Sequence, residues 1–133
     1  VRKALGGIMD EQDEALFAKI VQILQEHRHT EWIDIHNMRI QQFGAHLHID
    51  AHITLPYYYS LKEAHQEMEK VIKLLAQKVD RTIEFNFHLD YCKSFSCEIC
   101  TIDCPFRQNP FVQTIQWDVK NIAGIAKHKI NEK

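Results

Sequence analysis

Three segments of the chain alternate apolar and polar residues with a period of two. In the first, Ile33 and Ile35 interleave with Asp34 and His36. In the second, Leu47, Ile49, Ala51, Ile53 and Leu55 interleave with His46, His48, Asp50 and His52. In the third, Ile83, Phe85, Phe87 and Leu89 interleave with His88 and Asp90. A period of two is that of a strand buried on one face, which predicts strands over Glu31–Gln41, His46–Leu55 and Arg81–Asp90. Gln42–Ala45 forms a turn in which Gly44 can take positive φ, making the first two strands a hairpin. Helical spacing holds elsewhere. Leu16, Phe17, Ile20, Val21, Ile23 and Leu24 predict an amphipathic helix over Glu14–His27, with Asp13 as its cap. Leu61, Ala64, Met68, Val71, Ile72 and Leu75 predict a second over Leu61–Val79, opened by a capping box of Ser60 and Glu63. The order α, β, β, α, β implies an α+β sandwich in which two helices cover the apolar face of a three-stranded sheet and leave its polar face open.

Beyond Asp90 the pattern weakens. Residues 91–108 read as a Cys-rich loop and 109–133 as an appended helix and tail. That helix starts at Pro110, capped by Asn109, carries Phe111, Ile115, Val119 and Ile122 on one side, and ends near Gly124. Trp117 lies off this stripe and is expected against the Cys-rich loop or a second subunit. Lys127–Lys133 read as a solvated end, with His128 incidental. Residues 1–12, with Gly6-Gly7, read as a linker into the domain of 13–90.

The 133 residues, 45% hydrophobic and 26% charged, suit one globular domain with some appended structure. A formal charge of −2, with lysines and arginines dispersed, leaves no basic footprint for nucleic acid. Neither a signal peptide nor a run of about 18 apolar residues is present. The chain opens on Val1, which reads as a piece of a longer protein.

The chemistry lies on the polar face. His36, His52, His88 and Asp90 come from three strands to one side of the sheet, and imidazole with carboxylate is a donor set for divalent metal. His46, His48 and Asp50 can extend that site or be ordinary solvated positions. His65, near the start of the second helix, is a candidate ligand or a structural side chain. Symmetric pairing of two chains is the commonest way to cover such a face, so a homodimer is expected. No Gly-rich phosphate loop, serine nucleophile motif or dedicated general base is present, so an enzyme is not expected.

Cys92, Cys97, Cys100 and Cys104 are the only cysteines, with four, two and three residues between them. Four thiolates close a tetrahedral zinc site. The spacing also matches parts of iron–sulfur ligand runs, and free thiols are a third possibility.

The motifs Glu31-Trp32-Ile33-Asp34-Ile35-His36-Asn37-Met38-Arg39, Gln42-Phe43-Gly44, Ile49-Asp50-Ala51-His52-Ile53, Ser60-Leu61-Lys62-Glu63-Ala64-His65 and His88-Leu89-Asp90 together resemble the cytoplasmic C-terminal domain of cation diffusion facilitator transporters. The resemblance covers about Val1–Asp90. Ala4–Asp10 looks like the stretch that follows the last transmembrane helix of that family. The resemblance implies a ferredoxin-like, metallochaperone-like domain that dimerises on the cytoplasmic side of the membrane. It implies zinc or a similar ion at the dimer interface, bound by His36, His52, His88 and Asp90, with His65 joining them. It also implies a transmembrane domain elsewhere in the protein whose proton-coupled export the bound metal modulates, and no small-molecule substrate. His46 and His48 fall outside the family pattern, and so does the cysteine cluster. The competing expectation is a redox module in which the four cysteines hold iron and sulfur.

Overall fold

A computed structural model describes the backbone of residues 11–130 and the side chains of residues 14–130. Almost all of the expected linker therefore lies outside the described residues. Helix α1 spans Glu11–His27 and buries Phe17, Ile20, Val21 and Leu24, the stripe that its spacing predicts. It begins two residues ahead of Asp13, which therefore stands inside the first turn and is not its cap.

Strands β1 (Asp34–Phe43) and β2 (His46–Leu55) pair antiparallel around Gly44, whose φ of +60° is a conformation that side-chain-bearing residues rarely adopt. The pairing steps from His36↔His52 to Arg39↔Asp50, so two residues, Asn37 and Met38, stand opposite Ala51 alone. This is a β-bulge. Asn37 takes φ +53°, and the extra residue re-phases the strand so that Met38 and Ile40 return to the core side while Arg39 stays on the polar side. Without the bulge, every residue after Asn37 would face the wrong way.

Helix α2 (Leu61–Lys78) carries the chain back to β3 (Thr82–Tyr91), which runs parallel to β2 and completes the sheet order β1-β2-β3. Its capping box is formed: the Glu63 amide donates to Ser60 Oγ at 3.0 Å and the Ser60 amide to Glu63 Oε1 at 2.8 Å. Val71 and Leu75 are buried, but Leu61 is 82% exposed because the first helical residue lies beyond the packed stripe. Glu67 is buried instead, where it accepts from Trp32 Nε1 at 3.0 Å and pairs with Lys70 at 2.8 Å. Helices and sheet enclose one apolar core that includes Trp32, Leu24, Ile35, Ile49 and Leu75.

The C-terminal extension departs from the sequence expectation. A 3₁₀ turn spans Ser94–Ile99, residues 110–118 are non-helical, and the last helix, α3, is only Val119–Ala123. Val112, Thr114 and Ile115 are β-branched and poor helix formers, and the amides of Val112 and Gln113 donate to Glu98 O. Asp118, not Asn109, caps α3 by accepting from the Asn121 amide at 2.8 Å. The Asn109 side chain donates to Ser94 O instead. Gly124 does end the helix, and its carbonyl accepts from the Asn37 amide at the bulge. Trp117 enters the main core, 4% exposed, with the Arg28 guanidinium stacked 3.7 Å from its ring. The extension is thereby tied back onto α1 and the edge of β1.

Candidate metal centre

Cross-strand register sets the polar face. His36, His52 and His88 form one row and Asp34, Thr54 and Asp90 the next. Within these rows His36, His52 and Asp90 present ligand atoms that all lie within 4.8 Å of one another. Asp90 Oδ2 is 3.3 Å from His36 Nε2 and 3.1 Å from His52 Nδ1.

Asp34 decides how His36 can act. Its carboxyl is fully buried and accepts from His36 Nδ1 at 2.6 Å, the Thr54 hydroxyl at 3.0 Å and the His128 amide at 3.2 Å. In the neutral imidazole this contact keeps the proton on Nδ1 and leaves the lone pair on Nε2, which faces Asp90. A carboxylate behind an imidazole is the usual arrangement for orienting a metal-binding histidine. The Nε2 lone pair and the Asp90 oxygen are both electron-pair donors, and facing each other they favour a cation between or beside them.

In this structure that cation is an ammonium. Lys127 Nζ lies 3.0 Å from Asp90 Oδ2. Burial pushes the Asp90 carboxyl up, but the hydrogen bonds and charge of Lys127 and His52 outweigh it and hold Asp90 below the usual carboxylate range. His128 follows. Its ring is buried, 6.5 Å from that of His36, with Nε2 2.9 Å from the Asn121 carbonyl and Nδ1 buried without a partner. Burial lowers its pKa, against the opposing pull of Asp34 and the Asn121 carbonyl. Of the expected solvated end, Lys127 and His128 are thus packed onto the site, and His128 is not incidental; residues 131–133 lie outside the described residues. Nothing in the sequence marked either residue, because their role comes from a non-periodic segment folding back.

The remaining candidates stand apart from the three-residue set. The His88 ring stacks on His52 at 4.7 Å between centroids, but it is exposed and its ligand atoms fall outside the set. His65 is exposed on α2 and faces Glu69 at 3.9 Å. His48 lies two rows away, between Asp50 (3.2 Å) and Glu84 (3.4 Å), and His46 is exposed at the start of β2. The other metal-spaced set among the described residues is His29, Glu31 and Glu67. There Glu67 is already taken by Trp32 and Lys70, and His29 stacks flat on Trp32.

The four cysteines form no disulfide and surround one small pocket at the end of β3. Burial pushes the Cys92 and Cys100 thiols up, partly offset by backbone N–H groups aimed at their sulfurs. No helix among the described residues is long and apolar enough to cross a membrane.

Residues 12–92 match the family model described as the cytoplasmic domain of cation efflux proteins. No curated protein matches the chain. Among solved structures, the metal-bound C-terminal domain of the CzcD transporter from Thermotoga maritima is 23% identical with a TM-score of 0.54, covering 62% of this chain and 94% of that one. The C-terminal domain of MamM, as its D249N variant, is 17% identical with a TM-score of 0.55, covering 63% of this chain and 98% of that one. The MamB C-terminal domain from Desulfamplus magnetovallimortis BW-1 is 15% identical with a TM-score of 0.50, covering 63% and 96%.

Proposed function

The chain belongs to the cytoplasmic-domain family of cation efflux proteins, and we propose that within it this domain is a zinc-responsive dimerisation module that modulates proton-coupled export by a membrane domain. The observation that carries this reading is the convergence of His36, His52 and Asp90 on one point, with Asp34 behind His36 fixing which nitrogen is free.

Three donors from one protein chain leave a fourth position of a tetrahedral ion open. His88, stacked beside His52, or a donor from a second copy completes the set. His65 belongs to this proposal only as such a donor from the second copy. A site that needs two chains for completion favours one arrangement of the pair over others, and binding there shifts the population toward it. Lys127 holds one oxygen of Asp90, so zinc at that oxygen and the lysine ammonium compete for it. Neutral imidazole with carboxylate suits zinc.

The test is the separation of the two protomers, read from spin labels on exposed positions of α2, with and without zinc. The expected result is a dimer whose distance distribution narrows and shifts on adding zinc, with no shift in a His52→Ala variant. A distribution indifferent to zinc would refute the regulatory reading.

A further inference from the structure

The family match ends at residue 92, yet the most concentrated set of soft ligands begins there. Cys92, Cys97, Cys100 and Cys104 all line one cavity of about 20 Å³, together with Tyr58 and Arg107. The backbone around them is arranged for sulfur. The amides of Tyr57, Gln108 and Ile102 point at the sulfurs of Cys92, Cys97 and Cys100, each at 3.4 Å. Three of the four sulfurs therefore have a backbone donor, and Tyr58 lines the same cavity as Cys104. A neutral thiol is a weak acceptor, so this set of donors is matched to thiolates, whose ligand character such outer contacts tune.

Charge fits as well. Four thiolates around a dication leave the centre net negative. The Arg107 guanidinium sits beside it, bonded to the carbonyls of Cys97 (2.7 Å), Cys100 (2.6 Å), Ile102 (2.7 Å) and Asn109 (3.0 Å). Arg107 thus fixes the loop's path and sets a positive charge against the thiols.

We propose that Cys92, Cys97, Cys100 and Cys104 hold a single thiophilic divalent cation, zinc, in a four-thiolate structural site that pins the C-terminal extension to the end of the sheet and is independent of the His36/His52/Asp90 centre. A single ion suits the pocket as it stands: about 10–15 Å³ is needed for one water-sized occupant, and this cavity measures about 20 Å³. The metal-spaced sets among the described residues do not include the thiols. Loading therefore draws the sulfurs inward and releases their protons to solvent. The site would hold the extension at its start, as Trp117 holds it further along and Lys127 and His128 near its end.

The test is titration of the full chain with cobalt(II), followed by displacement with zinc. Expected are thiolate-to-cobalt charge-transfer absorption and the visible bands of a tetrahedral ion, saturating at about one equivalent and bleached by zinc. These bands should persist in a His52→Ala/Asp90→Asn variant and vanish in Cys97→Ser/Cys100→Ser. Absence of thiolate bands in the unmodified chain, their loss in the His/Asp variant, or purified protein carrying iron with acid-labile sulfide would each overturn the proposal. Because the cysteine variant can fail to fold, alkylation of the unmodified chain supplies a second reading. All four thiols should be protected by zinc and become reactive on chelation, whereas equal labelling in both states would overturn the site.

Discussion

Lys127 holds its ammonium 3.0 Å from Oδ2 of Asp90, the oxygen that His36 and His52 also approach. On the proposed reading the lysine competes with the metal for that oxygen. A partly exposed ion pair contributes about 0.2–1 kcal/mol, so Lys127→Met should tighten zinc binding by up to about fivefold. Calorimetric titration of the two proteins checks this; unchanged or weaker binding in the variant would mean that the lysine does not compete.

Asp34 orients His36 without itself belonging to the three-residue set. Removing such an oriented carboxylate typically weakens a metal site about 10–100-fold. Asp34→Asn should produce a loss of that order for zinc at the His/Asp centre. Equal affinity in competition with a chromophoric chelator would show that the tautomer of His36 is not set by this contact.

Trp117 fastens the extension to the main core beneath Arg28. Trp117→Ala should cost about 3–5 kcal/mol, the range for deleting a buried large aromatic, and Trp117→Phe less. Urea unfolding of the metal-free chain reads the difference. A near-neutral Trp117→Ala would place the extension outside the cooperative unit.

His128 gives a pH signature. Burial lowers its folded-state pKa below 6.5, against the opposing influence of Asp34, while His36 and Arg28 act in the same sense as burial. The unfolded chain therefore takes up this proton first as pH falls. The stabilising contribution of a neutral His128 is present above about pH 6.5 and is lost as pH falls toward and through the folded pKa. In chelator-treated protein, thermal stability should decline over this window, and His128→Gln should decline less. Parallel pH profiles would show that His128 is not the group responsible.

The sheet was legible because its code is local: a two-residue period wrote both faces, so the shared face of His36, His52 and His88 follows from alternation, whereas the row that aligns His88 with His52 is set by the parallel pairing of β3. The bulge at Asn37 and Met38 was not legible: asparagine takes positive φ more readily than most residues, but nothing local distinguishes Asn37 from an ordinary strand position. Nor was the end of the chain. The helix expected from Pro110 gives way to β-branched residues whose amides are satisfied by Glu98, a partner distant in sequence. Lys127 and His128 reach the site only because Trp117 and Gly124 dock first. Of the expected ligands, His36, His52 and Asp90 converge, whereas His88, exposed in the same row, and His65, on a helix, do not.

The central claim is that His36, His52 and Asp90 bind zinc as a unit. Its most direct test counts zinc ions retained per chain after equilibrium dialysis, in the unmodified protein and in a His52→Ala/Asp90→Asn variant of matched fold. The account predicts about one ion fewer in the variant, and an identical count at the same free zinc would contradict it.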